Sequence, residues 1–541
     1  MFETNSTTQD PIRHVVALIL ENHSFDQMLG CFRQLYPDLD GVDPQNPRTN
    51  TYQGRTYAQA PTRERVMMLD PHHEVGHVAT QLSGGNGGFV KDFAQCYPES
   101  TDAQRALIMG YYPLGFLPAL HALAREFTVC DRWFSSLPGP TWPNRFFALT
   151  GTSNGRVNMP GDGEHTVDAK GWFQQNQPTI FDRLTEKGIN WKVYFHDIPQ
   201  TSVLMHQRLP HNAARYFYID EFFDDARGAE SEFPQYSLIE PNYLGGGEND
   251  DHPPHDIMKA EKLIADVYNA IRANKPLWES TLLLVYFDEH GGFYDHAVPP
   301  KASPPDGHQE EYTFDQYGLR VPALLVSPWA ERRVVHTAFD HTSVPKYLID
   351  KWQLGGLGAR TAAATSIAAA LTLPAPRTET IERIELTAEE LAPLDLELEE
   401  RTWGVETSNH RAFSAAKEWL VTQTVEGIPR IYASTARLIE GVKVWMEAGL
   451  RGLYGELRVS ATELDKLSRK GFEMKDHFAS FLVNQKRRSV AAIEVRLNDP
   501  ELSDAERRHA AHSLAMLAKQ PFHSKGEGVE QARAWLRRRK R

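Results

Sequence analysis

The chain contains few cysteines and no long hydrophobic run. Three of its 541 residues are cysteine, an odd number without any Cys-x-x-Cys spacing. This pattern excludes a disulfide-stapled scaffold and argues against a zinc site held by thiolates, so we interpret Cys31, Cys96 and Cys130 as reduced structural thiols. Because no run of about 18 apolar residues occurs, we predict no transmembrane helix.

Positive charge is also scarce. Lysine and arginine number 58 against 71 aspartate and glutamate, which gives a formal net charge of −13. This balance argues against a general nucleic-acid-binding surface, and we expect no nucleic-acid partner. The N-terminal residues lack the basic start of a signal peptide. We therefore expect a cytoplasmic protein, or one secreted by a signal-independent route or trimmed from a longer precursor.

The remaining composition is typical of an α/β protein. The hydrophobic fraction of 41% and the charged fraction of 24% are ordinary for a globular chain. Apolar or alternating runs predict strands at residues 12–20, 189–197, 281–287 and 320–327, and residues 255–274 have the apolar spacing of a helix. Strands that alternate with helices predict a mostly parallel sheet covered on both faces.

The character of the chain changes toward its C-terminus. Residues 381–401 are strongly acidic, and from residue 406 amphipathic helical patterns dominate. We therefore predict a catalytic domain over residues 1–380, an acidic linker over 381–405 and a helical C-terminal region over 406–541.

Two of the predicted strands end on oxygen-bearing side chains. They occur in "LILENHSFDQMLG" (residues 18–30) and "TLLLVYFDEHGGFYDH" (residues 281–296), and the side chains are Glu21, Asn22, Asp288 and Glu289. Ligands of open α/β sheets gather beyond the carboxyl ends of the strands. Either pair alone is better explained as a helix cap or a solvated loop. Three carboxylates that share a buried site need a neutralising partner, however, and a divalent cation is the simplest one. An oxygen-rich set suits Ca²⁺, Mg²⁺ or Mn²⁺ better than Zn²⁺.

A candidate nucleophile lies in "GPTWPNR", where Thr141 stands between Pro140 and Trp142. The flanking prolines restrict the backbone. A threonine hydroxyl becomes a useful nucleophile only when a metal or a base lowers its pKa, so a plain turn threonine is the alternative. Asn144 and Arg145 either hold this loop or contact an anionic substrate, and a structural ion pair explains Arg145 equally well.

Histidine is abundant, with 22 residues, and several cluster near acidic side chains. The segments "DPHHEVGH", "NDDHPPHD" and "DEHGGFYDH" contain His73, His252, His255 and His290. A solvated loop explains any one of them. Together they predict a polar pocket, in which a protonated imidazole stabilises an anion or protonates a leaving group.

These segments follow an order that resembles a known family. "ENHSFDQMLG", "DPHHE", "GPTWPNR", "NDDHPPHD", "YFDEHGGFYDH", "RVPALLVSPW" and "DHTSV" are arranged as in the phosphoesterase family of bacterial phospholipases C, plant non-specific phospholipases C and AcpA-type acid phosphatases. The resemblance covers roughly residues 12–380. It implies an alkaline-phosphatase-like fold, with a central, mostly parallel sheet between helical layers.

The resemblance also implies roles for the residues already identified. Thr141 matches the nucleophile that forms a covalent phospho-enzyme. The metal-binding positions match Glu21, Asn22, Asp288 and Glu289. The pocket histidines that bind the phosphoryl group or serve the leaving group match His73, His252 and His255. We assign substrate binding to Asn144, Arg145 and His290.

The implied function is a metal-dependent phosphoric ester hydrolase. Its expected form is a phospholipase C that cleaves glycerophospholipids to diacylglycerol and a phosphorylated headgroup through a phospho-threonine. Two alternatives stay open: a broad-specificity acid phosphatase, and an inactive binding or scaffold protein that acts through its helical C-terminal region. An apolar stretch around Tyr111, Tyr112, Leu114 and Phe116 favours a lipid, although a buried helix start explains it equally well.

Two features depart from the bacterial phospholipases. A twin-arginine export signal is absent, and the helical region after residue 406 does not resemble their β-rich C-terminal domains. The chain ends in "AWLRRRKR", which predicts either peripheral contact with an anionic membrane or a solvated terminus. The oligomeric state and the headgroup stay open.

Overall fold

The computed structural model describes residues 10–160, 175–196, 199–208, 212, 215–243, 248–309, 311–394, 398, 401–402, 405, 407–412 and 415. None of the helices within these ranges has the length and hydropathy needed to cross a membrane. The predicted basic tail lies outside the described residues.

The described strands are β1 (His14–Leu20), β2 (Thr49–Tyr52), β3 (Arg55–Ala58), β4 (Ala60–Pro61), β5 (Gly110–Tyr111), β6 (Thr128–Cys130), β7 (Trp133–Phe134), β8 (Trp191–Phe195), β9 (Tyr216–Tyr218), β10 (Tyr236–Glu240), β11 (Thr281–Phe287), β12 (Ala323–Val326), β13 (Val334–Val335) and β14 (Phe339–Asp340).

The described α-helices are α1 (Phe25–Met28), α2 (Val75–Asn86), α3 (Phe89–Cys96), α4 (Asp102–Leu107), α5 (Pro118–Glu126), α6 (Thr141–Thr150), α7 (Ile180–Glu186), α8 (Ile219–Arg227), α9 (Ile257–Ala273), α10 (Lys275–Trp278), α11 (Ser343–Trp352) and α12 (Gly358–Ala363). Short 3-10 turns occur at Gly30–Gln34, Gln200–Val203, Met205–Arg208, Glu230–Glu232 and Ile367–Ala370.

An eight-stranded sheet forms the centre of the described fold, in the order β13–β6–β12–β11–β1–β10–β8–β9. Only β12 pairs antiparallel with its neighbours, and the other neighbouring pairs in this sheet are parallel. The predicted α/β class with a mostly parallel sheet is therefore confirmed. Each of the four predicted strands and the predicted helix is present. The strand at 281–287 has the predicted bounds, and the other elements are shorter than predicted.

Helices cover both faces of this sheet. Every residue of β1 and β11 is buried, which requires cover above and below because neighbouring side chains point to opposite faces. One group of packed helices contains α5, α8, α9 and α10, and another contains α6, α7 and α11. Helix α9 begins where the Asp256 carboxylate accepts a hydrogen bond from the Met258 backbone N–H.

The pairing of the central strands positions the predicted site. β1 lies between β11 and β10, and Leu20 is paired with Phe287 in register. Because the two strands are parallel, Glu21 and Asp288 follow them at the same edge of the sheet. The neighbouring strand β10 was not predicted, and it ends at this edge on Glu240.

The chain after the sheet packs back onto α9. Asn269 and Ile384 exchange two hydrogen bonds of 2.8 Å, and the Tyr268 hydroxyl donates to the carbonyl of Ile381. The first part of the predicted acidic linker is thus attached to the helical layer. The division into three segments stays a prediction, and most of residues 406–541 lies outside the described part of the chain.

Candidate active site

The four predicted metal ligands lie at one edge of the sheet, and all are fully buried. Asn22 has a φ of 61°, and its backbone N–H lies 3.3 Å from Asp288 Oδ1. Gly291 makes the close approach possible, because a Cβ there would lie 2.0 Å from the carbonyl oxygen of Asn22. Its φ of +64° is also one that glycine adopts without strain.

Arg145 lies between the two strand-end carboxylates. Its Nε donates to Asp288 Oδ2 at 2.8 Å, and its Nη2 is 3.2 Å from Glu21 Oε1. Nη1 donates to the hydroxyl of Tyr243 at 2.9 Å, and the side chain is buried. These contacts favour the structural ion-pair alternative for Arg145, and its contact with substrate stays a prediction.

The carboxylates are crowded into a dry environment. Burial raises the pKa of Glu21 well above its ordinary value, against the effect of Arg145, and it raises the pKa of Asp288 in the same way. Burial raises the pKa of Glu289 to about 7, although His73 opposes the shift. One buried guanidinium therefore does not balance this set of acids.

A divalent cation fits this donor set. Glu289 Oε1 is buried without a hydrogen-bond partner among the described residues, whereas Oε2 accepts from the Gly291 N–H at 2.7 Å. Hard cations prefer such carboxylate and amide oxygens. Among the described residues, one potential ligand atom from each of three side chains lies within 4.8 Å of the other two at His72–His77–Cys96 and at Asp26–Asp295–His296. The carboxylates of Glu21, Asp288 and Glu289 are spaced more widely than this.

Thr141 is the first residue of α6, directly after Pro140 at the cap position. It is fully buried, and its hydroxyl donates to Asn22 Oδ1 across 3.4 Å. A neutral amide orients this hydroxyl without removing its proton. The structure therefore brings the predicted nucleophile next to the predicted metal ligands.

Asn144 holds the loop that precedes Thr141. Its Nδ2 donates to the carbonyl of Gly139 at 2.8 Å, and its Oδ1 accepts from the Leu137 N–H at 3.0 Å. These contacts again favour the loop-holding alternative, and the substrate contact of Asn144 stays a prediction.

Three predicted pocket histidines lie in a row. The ring centroids of His73 and His252 are 6.1 Å apart, and those of His252 and His255 are 6.0 Å apart. His73 Nε2 lies 3.4 Å from Asn22 Nδ2 and 3.7 Å from Glu289 Oε1. The row therefore begins beside the predicted metal ligands.

The environments of these histidines differ. Burial lowers the pKa of His73, but nearby carboxylates, Glu289 first, outweigh it and raise the pKa to about 10. Burial lowers the pKa of His252, and it lowers the pKa of His255 to about 4. Protonated and neutral imidazoles thus lie side by side in one pocket.

His290 lies behind Glu289. Its Nε2 is 2.8 Å from Gln81 Oε1, its Nδ1 is 3.3 Å from Glu289 Oε2, and burial lowers its pKa to about 3. These contacts support a neutral ring that holds the acidic loop. Its predicted contact with substrate is not tested by them.

The sequence that builds this site matches a known protein family. The profile of the Phosphoesterase family matches residues 12–355. The chain belongs to the phosphoesterase family. It is a phosphoric ester hydrolase, as predicted.

This phosphoesterase is similar in sequence to phospholipases C of a plant and of a bacterium. Non-specific phospholipase C3 of Arabidopsis thaliana is 33% identical over 388 residues, which cover 64% of this chain and 71% of the relative. Non-specific phospholipase C6 of the same plant is 35% identical over 365 residues, with coverage of 62% and 67%. Phospholipase C B of Mycobacterium tuberculosis is 29% identical over 393 residues, with coverage of 62% and 72%.

Among solved structures, a protein of the alkaline phosphatase superfamily from Vibrio parahaemolyticus aligns with a TM-score of 0.29 and 14% identity, covering 58% of this chain and 83% of that one. The likeness is distant, and no conclusion rests on it.

Sequence reasoning missed several side chains of this phosphoesterase site. His341 Nε2 donates to the carbonyl of Asp288 at 2.6 Å, because its Nδ1 accepts from Trp133 Nε1 at 3.3 Å. Gln200 Nε2 donates to Glu21 Oε1 at 2.7 Å. The "DHTSV" segment was an available signal for His341, whereas nothing local to Gln200 indicates its role.

A small cleft with a volume of about 20 Å³ lies beside His255. Its lining mixes polar and charged residues with apolar side chains, which are Met67, Leu107, Tyr112, Pro253, Ile257 and Phe293. The predicted apolar stretch therefore contributes Tyr112 to a surface next to the histidine row.

Proposed function

We propose that this phosphoesterase is a phospholipase C that cleaves glycerophospholipids to diacylglycerol and a phosphorylated headgroup. The observation that carries the proposal is the distance of 3.4 Å between the Thr141 hydroxyl and Oδ1 of Asn22, a side chain that also lies 3.4 Å from His73. The names of the relatives support the substrate class.

The reaction has two displacements at phosphorus. Thr141 Oγ1 attacks the phosphorus atom, a P–O bond forms, and the P–O bond to the diacylglycerol oxygen breaks. The proton of the Thr141 hydroxyl passes to a neutral histidine of the row, which delivers it to the departing diacylglycerol oxygen, and a phospho-threonine remains. Water then attacks the same phosphorus, and the phosphorylated headgroup leaves as the hydroxyl of Thr141 is restored.

Different residues of the site serve different steps of this reaction. A divalent cation held by Glu21, Asn22, Asp288 and Glu289 would polarise the phosphoryl oxygens and favour the threonine alkoxide. His73 lies closest to Asn22, which supports a role at the phosphoryl group. His255 lines the cleft to which Tyr112 and Phe293 contribute, which supports a role at the leaving diacylglycerol.

The test is product analysis on vesicles of mixed phospholipids, with divalent metals returned after chelation. We expect diacylglycerol and phosphorylated headgroups from the wild type, none from Thr141→Ala, and reduced turnover from Thr141→Ser. Acid quench with a slow substrate should trap phosphate on Thr141.

Three other outcomes would contradict the proposal. Hydrolysis of p-nitrophenyl phosphate without release of diacylglycerol would indicate the acid phosphatase instead. Near-normal turnover by Thr141→Ala would remove threonine from the mechanism. If the protein hydrolyses neither phospholipids nor p-nitrophenyl phosphate, with or without added metal, the scaffold alternative is favoured.

A further inference from the structure

A short C-terminal segment reaches the predicted metal site from far along the chain. It comprises residues 407–412, of which 408–412 are helical. Ser408 and Asn409 are buried, with 2% and 0% of their surface exposed. The segment lies beyond residue 355, where the match with the family ends. Its contacts with the site are therefore additional to the matched motifs.

Asn409 contacts a predicted metal ligand directly. Its Nδ2 donates to Glu21 Oε2 at 2.8 Å, and its Oδ1 accepts from Gln200 Nε2 at 3.0 Å. Because a carboxylate only accepts hydrogen bonds, the amide NH2 of Asn409 must face Glu21. Arg145 and Gln200 already contact Glu21 Oε1, so Asn409 supplies the contact on the other oxygen. The carboxylate of Glu21 is thereby held on both oxygens.

Ser408 contacts the histidine row. Its Oγ lies 3.2 Å from His252 Nε2, while His252 Nδ1 is 2.5 Å from the carbonyl oxygen of Pro253. Since that carbonyl only accepts, Nδ1 carries the proton and Nε2 accepts from the Ser408 hydroxyl. Consecutive residues of one segment thus hold a predicted metal ligand and a predicted pocket histidine.

We propose that Asn409 is a positioning residue for Glu21, so that residues 407–412 complete the catalytic centre. The inference rests on the proposed function, in which Glu21 is a metal ligand. Hydrogen bonds to ligating carboxylates fix their orientation, and the loss of such a partner typically weakens metal affinity or activity by about 10- to 100-fold.

The test measures metal binding by the full-length chain without any substrate. Wild type and Asn409→Ala are freed of metal by chelation and titrated calorimetrically with Mn²⁺, Mg²⁺ and Ca²⁺ in turn. For the cation that wild type binds most tightly, we expect the variant to bind about 10- to 100-fold more weakly. With p-nitrophenylphosphorylcholine, kcat should fall while KM changes little.

Two controls separate positioning from a general loss of structure. Asn269→Ala also removes a pair of hydrogen bonds to the C-terminal part of the chain, the partly buried pair at Ile384, and it should keep wild-type metal affinity. Ser408→Ala alters the same segment without touching Glu21, and it should keep that affinity too. If Asn409→Ala does not fold, Asn409→Leu removes the same hydrogen bonds while retaining the number of side-chain atoms.

The outcomes are distinct from those of the proposed function. Wild-type affinity in the Asn409 variant, equal losses in Asn269→Ala, or a wild type that binds none of the three cations would each overturn the positioning role. A selective loss of affinity in a protein that releases no diacylglycerol would support the positioning role and refute the phospholipase.

Discussion

Replacing Arg145 by methionine tests the electrostatics of the site most directly. The guanidinium is 2.8 Å from Asp288 Oδ2 and 3.2 Å from Glu21 Oε1. With an effective dielectric constant of about 20, these separations correspond to gross attractions of about 6 and about 5 kcal/mol. Desolvation cancels much of this, and loss of one partner from a buried pair typically costs about 3–5 kcal/mol.

The expected result depends on metal. In Arg145→Met, the two carboxylates lose their buried counter-charge while the cavity stays largely filled. The chelated variant should therefore unfold at a lower temperature than chelated wild type. Without the competing guanidinium the variant should bind a divalent cation more tightly, so at the same metal concentration the cation should add more stability to the variant than to wild type. The gain is about 2.7 kcal/mol for a protein whose Kd is about 100 times below the metal concentration. Thermal unfolding with and without metal measures both quantities.

Arg360→Met is the matched control. Arg360 is also buried, but it donates to the carbonyls of Ser136 and Phe314 at 2.8 and 2.6 Å. Its loss should lower the unfolding temperature without enlarging the increment from metal. The reasoning fails if chelated Arg145→Met unfolds like wild type, or if its metal increment does not exceed that of Arg360→Met.

Three further predictions concern other parts of the fold. Gly291→Ala should abolish turnover in an ester-hydrolysis assay, because the added Cβ would collide with Asn22. Gly54→Ala, which is also at positive φ but in open space, should lower stability and leave turnover intact. Equal activities of the two variants would contradict this prediction. Burial raises the pKa of Glu261 to about 8, so the folded chain binds the proton more tightly than the unfolded chain. This contribution to stability should be fully present below pH 4.5 and be lost as pH rises to about 8, by up to about 5 kcal/mol. Glu261→Gln should flatten that part of the pH profile in denaturant titrations, and an unchanged slope would refute the assignment. Asp288→Ala should lose bound metal and most activity while its circular dichroism stays native, and stoichiometric metal in the variant would exclude Asp288 as a ligand.

The sequence alone determined the strands and the chemistry at their ends. β1 and β11 are continuous apolar runs, and this local pattern is what a strand buried on both faces requires. Glu21 and Asp288 directly follow these runs, so their location at strand ends is a consequence of chain connectivity. The same holds for Thr141 after Pro140, because proline restricts the backbone locally. These features depend on near neighbours, which a single sequence displays.

Tertiary structure decided which of these pieces meet. The strand order places β1 between β11 and β10, and β12 runs in the reversed direction. Both features depend on which packed arrangement buries the most apolar surface. No local pattern records that choice. The contacts of Arg145 with two carboxylates and of Asn409 with Glu21, 388 residues away in sequence, arise from the same packing. Hydrogen bonds and ion pairs act over a few ångströms of space, so side chains distant in the chain become partners only after the fold has formed.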